Sequence, residues 1–467
     1  MRRMFQSFVQ LALSSLGGQL IGFAVLAVVA RRVGVTNLGA YGWANNVIPY
    51  VVLPLTGLAG VAQREIAQNK VGAGETAGNA LPTLALYTVA STAVLFVVAP
   101  YISPSPVAAS MLRILSLTIG LTLLTTDWWL AGLGDFKQLA IARFLGQVAY
   151  GVAAIFWLAS GVQGAYHYAW LNVLGLAVTF LMVGALSVRR SGWPRVRTTP
   201  RVAARRLRES MPFTTSILMI KIYYSADFVL LGFLATSAAV GQYLVAYKLP
   251  LALLGFASLW NGVVFTHAAT EEPEQLRRQI GIWLTMAVVV MLPVCTGSMF
   301  VAHGLLRAFF GAGYGPAALY FQLLMASVAI ALVNGVFAPV LLATGHERAL
   351  ARSVTIGAIV NLSLNAVLIP LFGAAGAAVA TIAAETGVFV SLSLHISRRV
   401  GVPTLAWPRV LAAVASTAAM AAVLALVLTD ELVWWRILGG AAVFCVAAAL
   451  TGVVRVSDRR LVVKVVA

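Results

Sequence analysis

Residues 316–343 read PAALYFQLLMASVAIALVNGVFAPVLLA, 28 positions without one charged side chain. A helix needs about 20 mainly apolar residues to cross a bilayer, so this run is long enough to span one. Runs of the same kind recur along the chain. Of 467 residues, 61% are hydrophobic and only 10% are charged. A soluble domain carries about 25% charged residues, and a surface this poor in charge cannot face water. That balance excludes a soluble enzyme, a disordered scaffold and a secreted disulfide protein. Cys295 and Cys445 both fall inside apolar stretches and read as small hydrophobes.

Read outward from residues 316–343, the apolar runs predict fourteen spans. Six lie near 5–30, 39–61, 79–101, 107–131, 139–160 and 163–187. Six more lie near 212–234, 241–265, 280–303, 316–343, 353–371 and 374–397, and a terminal pair near 409–429 and 434–454. The first run is too long for a signal-peptide core and is expected to stay as helix 1. With alternating helices and a cytoplasmic N-terminus, inside segments hold 25 of the 32 basic residues and outside segments hold four. Cytoplasmic loops are enriched in Lys and Arg, so both termini are expected inside a cytoplasmic (inner) membrane. The excess of 32 basic over 14 acidic residues is thus read as topology, and no nucleic-acid partner is expected.

The 188–211 segment, rich in arginine, is the longest loop. It reads as a solvated cytoplasmic linker, with contact to anionic lipid headgroups as the functional alternative. The outer gaps near Tyr101–Pro106 and Gly161–Gly164 are a few residues long. They leave no room for the acidic outer loop of a polysaccharide polymerase.

Two short motifs repeat. Gly39-Ala-Tyr41-Gly-Trp-Ala44 matches Gly241-Gln-Tyr243-Leu-Val-Ala246 at an offset of 202, and Gly161-Val-Gln-Gly164-Ala165 matches Gly373-Ala-Ala-Gly376-Ala377 at 212. The fold class is therefore an all-α polytopic membrane protein of about 14 transmembrane helices. Two six-helix lobes are related by a pseudo-twofold along the membrane normal, and a helix pair is added at the end. The divisions are an N-lobe at 1–187, the basic linker at 188–211, a C-lobe at 212–397 and helices 13 and 14 with a tail at 398–467. Pro49, Pro54, Pro250, Pro293 and Pro339 lie within spans and either curve them or act as hinges.

A charge at the bilayer centre costs at least about 2.5 kcal/mol, so such residues face an interior or a cavity. Six fall inside spans: Arg113, Asp127, Lys221, Asp227, Lys248 and Glu385, with Arg31 and Arg32 at the outer end of helix 1. On a straight helix Lys221 and Asp227 are about 9 Å apart along the axis and on different faces. One reading makes these residues interhelical ion pairs. The other lines a cationic cavity with Arg31, Arg113, Lys221 and Lys248 for phosphate oxygens, and gives Asp127, Asp227 and Glu385 to ion or proton coupling. No catalytic group, metal site or cofactor is expected. His167, His303 and His395 lack ligand spacing, and no phosphate-binding G-x-x-x-x-G-K-[ST] is present.

Ala30-Arg-Arg32-Val-Gly34, Asp127-Trp-Trp-Leu-Ala-Gly132-Leu-Gly-Asp135 and Asp227 with Gly232 carry a family resemblance. So do Leu341-Leu-Ala-Thr-Gly345, Asn361-Leu-Ser-Leu-Asn365, Leu368-Ile-Pro370 and Gly373-Ala-Ala-Gly376 through Thr381. The chain resembles the polysaccharide-transport (Wzx-like) flippases of the multidrug/oligosaccharidyl-lipid/polysaccharide exporter superfamily. The resemblance implies a V-shaped two-lobe bundle that moves a lipid-diphosphate-linked oligosaccharide, a cell-surface polysaccharide precursor, from inner to outer leaflet by alternating access. It also implies polysaccharide assembly enzymes as partners. The common pattern has twelve helices; fourteen also suits lipid II flippases. A multidrug exporter of the same superfamily, or a polysaccharide polymerase, are the other readings.

Overall fold

The structure is a computed structural model that describes residues 2–124, 127–161, 164, 166–195, 198–428, 432–453, 455–456 and 463–464. Its helices are α1 (Arg2–Gln68), α2 (Ala73–Ile102), α3 (Pro106–Leu124), α4 (Asp127–Leu133), α5 (Phe136–Ala159), α6 (Tyr166–Ser191) and α7 (Pro200–Leu234). They continue with α8 (Ser237–Ala268), α9 (Pro273–Phe310), α10 (Ala317–Ala343), α11 (Glu347–Arg399), α12 (Trp407–Leu426) and α13 (Val433–Leu450). A 3-10 turn at Ala312–Tyr314 joins α9 to α10, and an antiparallel two-residue ladder pairs Arg455 with Lys464.

Among the described residues, eleven helices are long and apolar enough to cross a membrane, or twelve when the two bent arms of α7 count as one span. Two of these helices absorb more than one expected span. The helix 1 and 2 regions run together as α1, and the helix 11 and 12 regions as α11. Each is broken at one residue, Gly34 (φ 78°, ψ 168°) and Gly373 (φ 56°, ψ −133°). A positive φ is open to glycine without the Cβ clash that other residues meet, so the helix breaks there without needing a loop. The Arg31–Leu38 stretch, expected as an outer gap, is helical on both sides of Gly34. Gly161, at the matching turn of the other repeat, also has positive φ (70°), while Val162, Gln163 and Ala165 lie outside the described residues.

The surface is inverted relative to a soluble protein. Leu86, Val97, Ile155, Phe156, Leu371 and Leu411 are each more than half exposed, whereas Ala30, Ala44, Ala77, Ala108, Ser116, Ala377 and Ser416 are essentially sealed inside. Lipid tails are as apolar as leucine, so helices associate by close packing of small residues rather than by hiding large ones. The chain is a multi-pass membrane protein.

Contacts group the chain into two compact units, residues 1–241 and 242–467. In the first, α1 packs along α7 and the first residues of α8 through glycine notches. A Cβ on Gly39 would collide with Ser237 O and lie 2.8 Å from Gly241 N; one on Gly241 would collide with Val35 O. Trp43 fills the notch at Gly232, and Gly57 faces Thr214 and the Ser210 carbonyl. The two glycines that open the repeated G-x-Y-x-x-A motif therefore touch each other. In the second unit the two arms of α11 form a hairpin. Gly376 lies against the Leu368 carbonyl, and Ser353 Oγ meets Ser391 Oγ at 2.8 Å.

Candidate functional site

The seven candidate residues sort by what their side chains touch. Arg113, on α3, donates from Nε to the Phe96 carbonyl of α2 at 2.9 Å and lies 5.0 Å from the Phe96 ring. The reason is four residues further on. Pro100 sits inside α2 and has no N–H, so the Phe96 carbonyl loses its helical donor. Within a bilayer such a carbonyl needs another partner. Arg113→Leu is therefore expected to lower stability by about 1–3 kcal/mol, read as a drop in thermal midpoint in detergent. An unchanged midpoint with loss of transport would place Arg113 at the cargo instead.

Asp127, at the start of α4, accepts from Arg143 Nη2 (2.6 Å) and Nε (3.0 Å), with the two side chains 27% and 54% exposed. The neighbouring Asp135 pairs with Arg190 at 3.0 Å. These two pairs tie α4 and its flanking turn to α5 and α6. Glu385, buried in the second arm of α11, accepts from Asn334 Nδ2 of α10 at 2.8 Å, and the same Nδ2 reaches the Glu385 carbonyl at 3.1 Å. One turn apart on the first arm, Asn365 Nδ2 donates to Asn361 Oδ1 at 2.9 Å, both fully or nearly buried.

Lys221 and Asp227 flank a bend. The α7 arms Ile217–Tyr223 and Ser225–Leu234 are inclined by 56°. On a straight helix the pair would face apart; here the bend lies between them. Lys221 Nζ donates to Ser225 Oγ across it at 2.9 Å, and Tyr50 OH of α1 donates to the Lys221 carbonyl at 3.2 Å. Asp227 Oδ1 accepts from Phe228 N at 3.0 Å. The charge of Asp227 is close enough to act on both Lys221 and the Tyr50 hydroxyl. The placement follows helix electrostatics: the ammonium sits in the last turn of one arm, where carbonyls point outward. The carboxylate sits in the first turn of the next, where N–H groups do. Broken membrane helices with exposed ends are how transporters form polar sites inside a bilayer.

Lys248 is different. It lies on α8, in the second unit, one residue after the Tyr243–Tyr247 stack (6.0 Å) and two before Pro250. It is half-buried, and among the described residues its ammonium has no hydrogen-bond or ion-pair partner. Arg31 is exposed beside the Gly34 break. Its neighbour Arg32 is committed to the Leu158 carbonyl (2.6 Å) and the Trp157 ring (5.3 Å) of α5. Among the described residues no three His, Cys, Asp or Glu side chains converge to hold a metal.

The sequence motifs flag Lys221 and Asp227 but miss Tyr50 and Ser225, because a bend without a proline at its centre leaves no mark. Asn334 does carry a sequence signal, since it and Gln322 are the two side-chain amides in the apolar run 316–343.

Many apolar spans, a broken helix carrying opposite charges at its two ends and a lysine without a partner among the described residues define a polytopic protein of transporter architecture. Solved structures share the fold. The lipid II flippase MurJ in an inward closed conformation superposes with a TM-score of 0.77 over 95% of this chain and 98% of that one, at 15% identity. An inward-facing multidrug resistance MATE family transporter of the MOP superfamily gives 0.67 over 82% and 95%, at 16% identity. Residues 4–266 match the family of polysaccharide biosynthesis proteins, and the chain belongs to that family. A Haloferax volcanii protein named "Probable low-salt glycan biosynthesis flippase Agl15" is 22% identical over 390 residues, 80% of each chain. A Shigella dysenteriae protein, provisionally named an O-antigen transporter, is 23% identical over 56% of this chain and 66% of that one.

Proposed function

We propose that this chain carries a lipid-diphosphate-linked oligosaccharide, a precursor of cell-surface polysaccharide, from the inner to the outer leaflet by alternating access. The observation that carries the proposal is Lys248, a cation inside a span with no partner among the described residues, in a chain whose relatives are named as glycan flippases and transporters. Buried sugar hydroxyls each cost several kcal/mol without a partner, and a diphosphate costs more. Polar groups held inside the spans replace water for the headgroup, and the isoprenoid tail stays in lipid. No bond is made or broken, so the chain is a transporter and not an enzyme. Lys221, Lys248 and Arg31 are the cationic contacts in this proposal, with Arg113 assigned to the fold through the Phe96 carbonyl; Asp227, Glu385 and Asp127 are the candidates for coupling to an ion or proton.

The fourteen-helix arrangement with two related lobes, and its division at 187, 211 and 397, belong to the same proposal. It is supported by the Gly39–Gly241 contact between the repeated motifs and by the matching positive-φ turns at Gly161 and Gly373. Both termini are placed on the cytoplasmic side of the inner membrane, within reach of polysaccharide assembly enzymes, on the strength of the basic-residue asymmetry.

The test is reconstitution into vesicles with fluorescently labelled lipid-linked oligosaccharide, scoring exposure of the headgroup on the far leaflet. Protein-dependent translocation without new glycosidic bonds is expected; polymer formation, or no translocation, would overturn the proposal. A second reading, lipid II transport, is favoured by the 0.77 TM-score to a lipid II flippase. A peptide-bearing lipid-linked disaccharide in the same assay separates the two.

A further inference from the structure

From the end of α6, residues 191–195 are seated by their backbone against the start of α2. Gly74 and Gly78 lie one turn apart on α2 and leave the groove it occupies. A Cβ on Gly74 would stand 3.1 Å from Ser191 O, and one on Gly78 would collide with the backbone of Arg195. Arg195 N donates to Gly74 O at 3.1 Å. The start of α7 is fixed as well: Thr199 caps it through Val202 N, and Arg206 pairs with Glu65 of α1 at 3.0 Å. With the backbone held inward, the side chains are displayed outward. Trp193 is 80% exposed. Arg189, Arg195, Arg201 and Arg208 are exposed, and among the described residues none of their guanidinium groups has an ion-pair or hydrogen-bond partner. The arginines beside them are already committed, Arg190 to Asp135 and Arg205 to Glu209.

We propose that this ledge is a docking surface for anionic phospholipid headgroups of the adjoining leaflet. It lies where apolar spans end, at the level of a membrane surface, and an indole at that level is a membrane-interface anchor. Its four uncommitted guanidinium groups match phosphate in charge and in hydrogen-bonding geometry. Each basic side chain near an anionic surface strengthens association by about fivefold. The ledge is already immobilised on α2, so little ordering of the backbone opposes binding. The inference stands whatever cargo the spans carry.

The full-length protein, purified in neutral detergent, is offered mixtures of phosphatidylglycerol and phosphatidylcholine, and retained lipid is quantified. Preferential retention of phosphatidylglycerol is expected, weakening as salt rises. Replacing Arg189, Arg195, Arg201 and Arg208 together with glutamine should lower the apparent affinity by up to about fivefold per residue. Lysine at all four should keep most of it, and Trp193→Ala should weaken it. Equal retention of the two lipids by the wild type overturns the proposal. An unchanged preference in the monodisperse glutamine variant does the same. So does displacement by inorganic phosphate at matched ionic strength, which marks a free-anion site. If the glutamine variant does not fold, the lipid-preference and phosphate arms on the wild type still decide.

Discussion

Lys248→Met is expected to abolish translocation of a lipid-linked oligosaccharide in reconstituted vesicles while leaving the thermal midpoint unchanged or higher. An ammonium inside a span is penalised by at least about 2.5 kcal/mol on insertion scales. Buried charges are tolerated when a partner repays desolvation, and here no partner is present among the described residues. Methionine keeps the length and apolar stem of lysine and removes the charge, so it relieves that cost without leaving a void. A residue that weakens the fold when charged and is still present has its return elsewhere, and an anionic headgroup provides it. Removing a charge-assisted contact to a buried phosphate corresponds to a loss of about 10- to 100-fold or more, from roughly 1.5–3 kcal/mol per such bond. Two measurements on one sample check this, initial translocation rate and thermal midpoint. Transport at the wild-type rate would remove Lys248 from the cargo path. A lower midpoint would instead mean that its ammonium supports the fold.

The contrast with Arg113 shows how far the sequence could be read. Both residues are cations within apolar runs, and sequence alone gives them the same two readings. The structure separates them by what lies across the gap, a carbonyl stripped of its donor by Pro100 for one and, among the described residues, no partner for the other. That contact was legible in part, since a proline inside a span always frees the carbonyl four residues before it. The neighbour that answers it, 17 positions away on another helix, was not.

The number and kind of elements were readable because run length and charge are local properties. The breaks inside α1 and α11 were readable because glycine marks them, at Gly34 and Gly373. The bend in α7 between Lys221 and Asp227 has no such mark, and the hydroxyl that reaches the Lys221 carbonyl comes from Tyr50, 171 positions away. Partner identity is a tertiary property, and in a chain this uniform in composition many pairings are equally permitted by pattern.

Gly39→Val carries the largest expected effect on stability. The first atom of any side chain at this position would overlap the Ser237 carbonyl and press on Gly241 N, and both of those are backbone. A rotamer change cannot relieve a clash with backbone, so α1 and the α7–α8 junction must separate. Overpacking of a tight contact commonly costs about 1–3 kcal/mol and occasionally more. Rigid backbone on the far side and a β-branched side chain put Val at the upper end, and Ala below it. Gly184, on α6 with nothing within 4 Å of its Cβ position, is the control. There Ala removes the conformational freedom of glycine at no steric expense and should stabilise by roughly 0.5–1 kcal/mol. Thermal midpoints of Gly39→Ala, Gly39→Val and Gly184→Ala in one detergent should therefore fall, fall further and rise slightly. The same contact joins the two copies of the repeated motif, so Gly241→Ala should reproduce the loss seen with Gly39→Ala, and the double variant should fall short of additive because one separation relieves both clashes. Additive losses would mean that the two glycines act at independent contacts, and the close approach of the two motif copies would then lose its support.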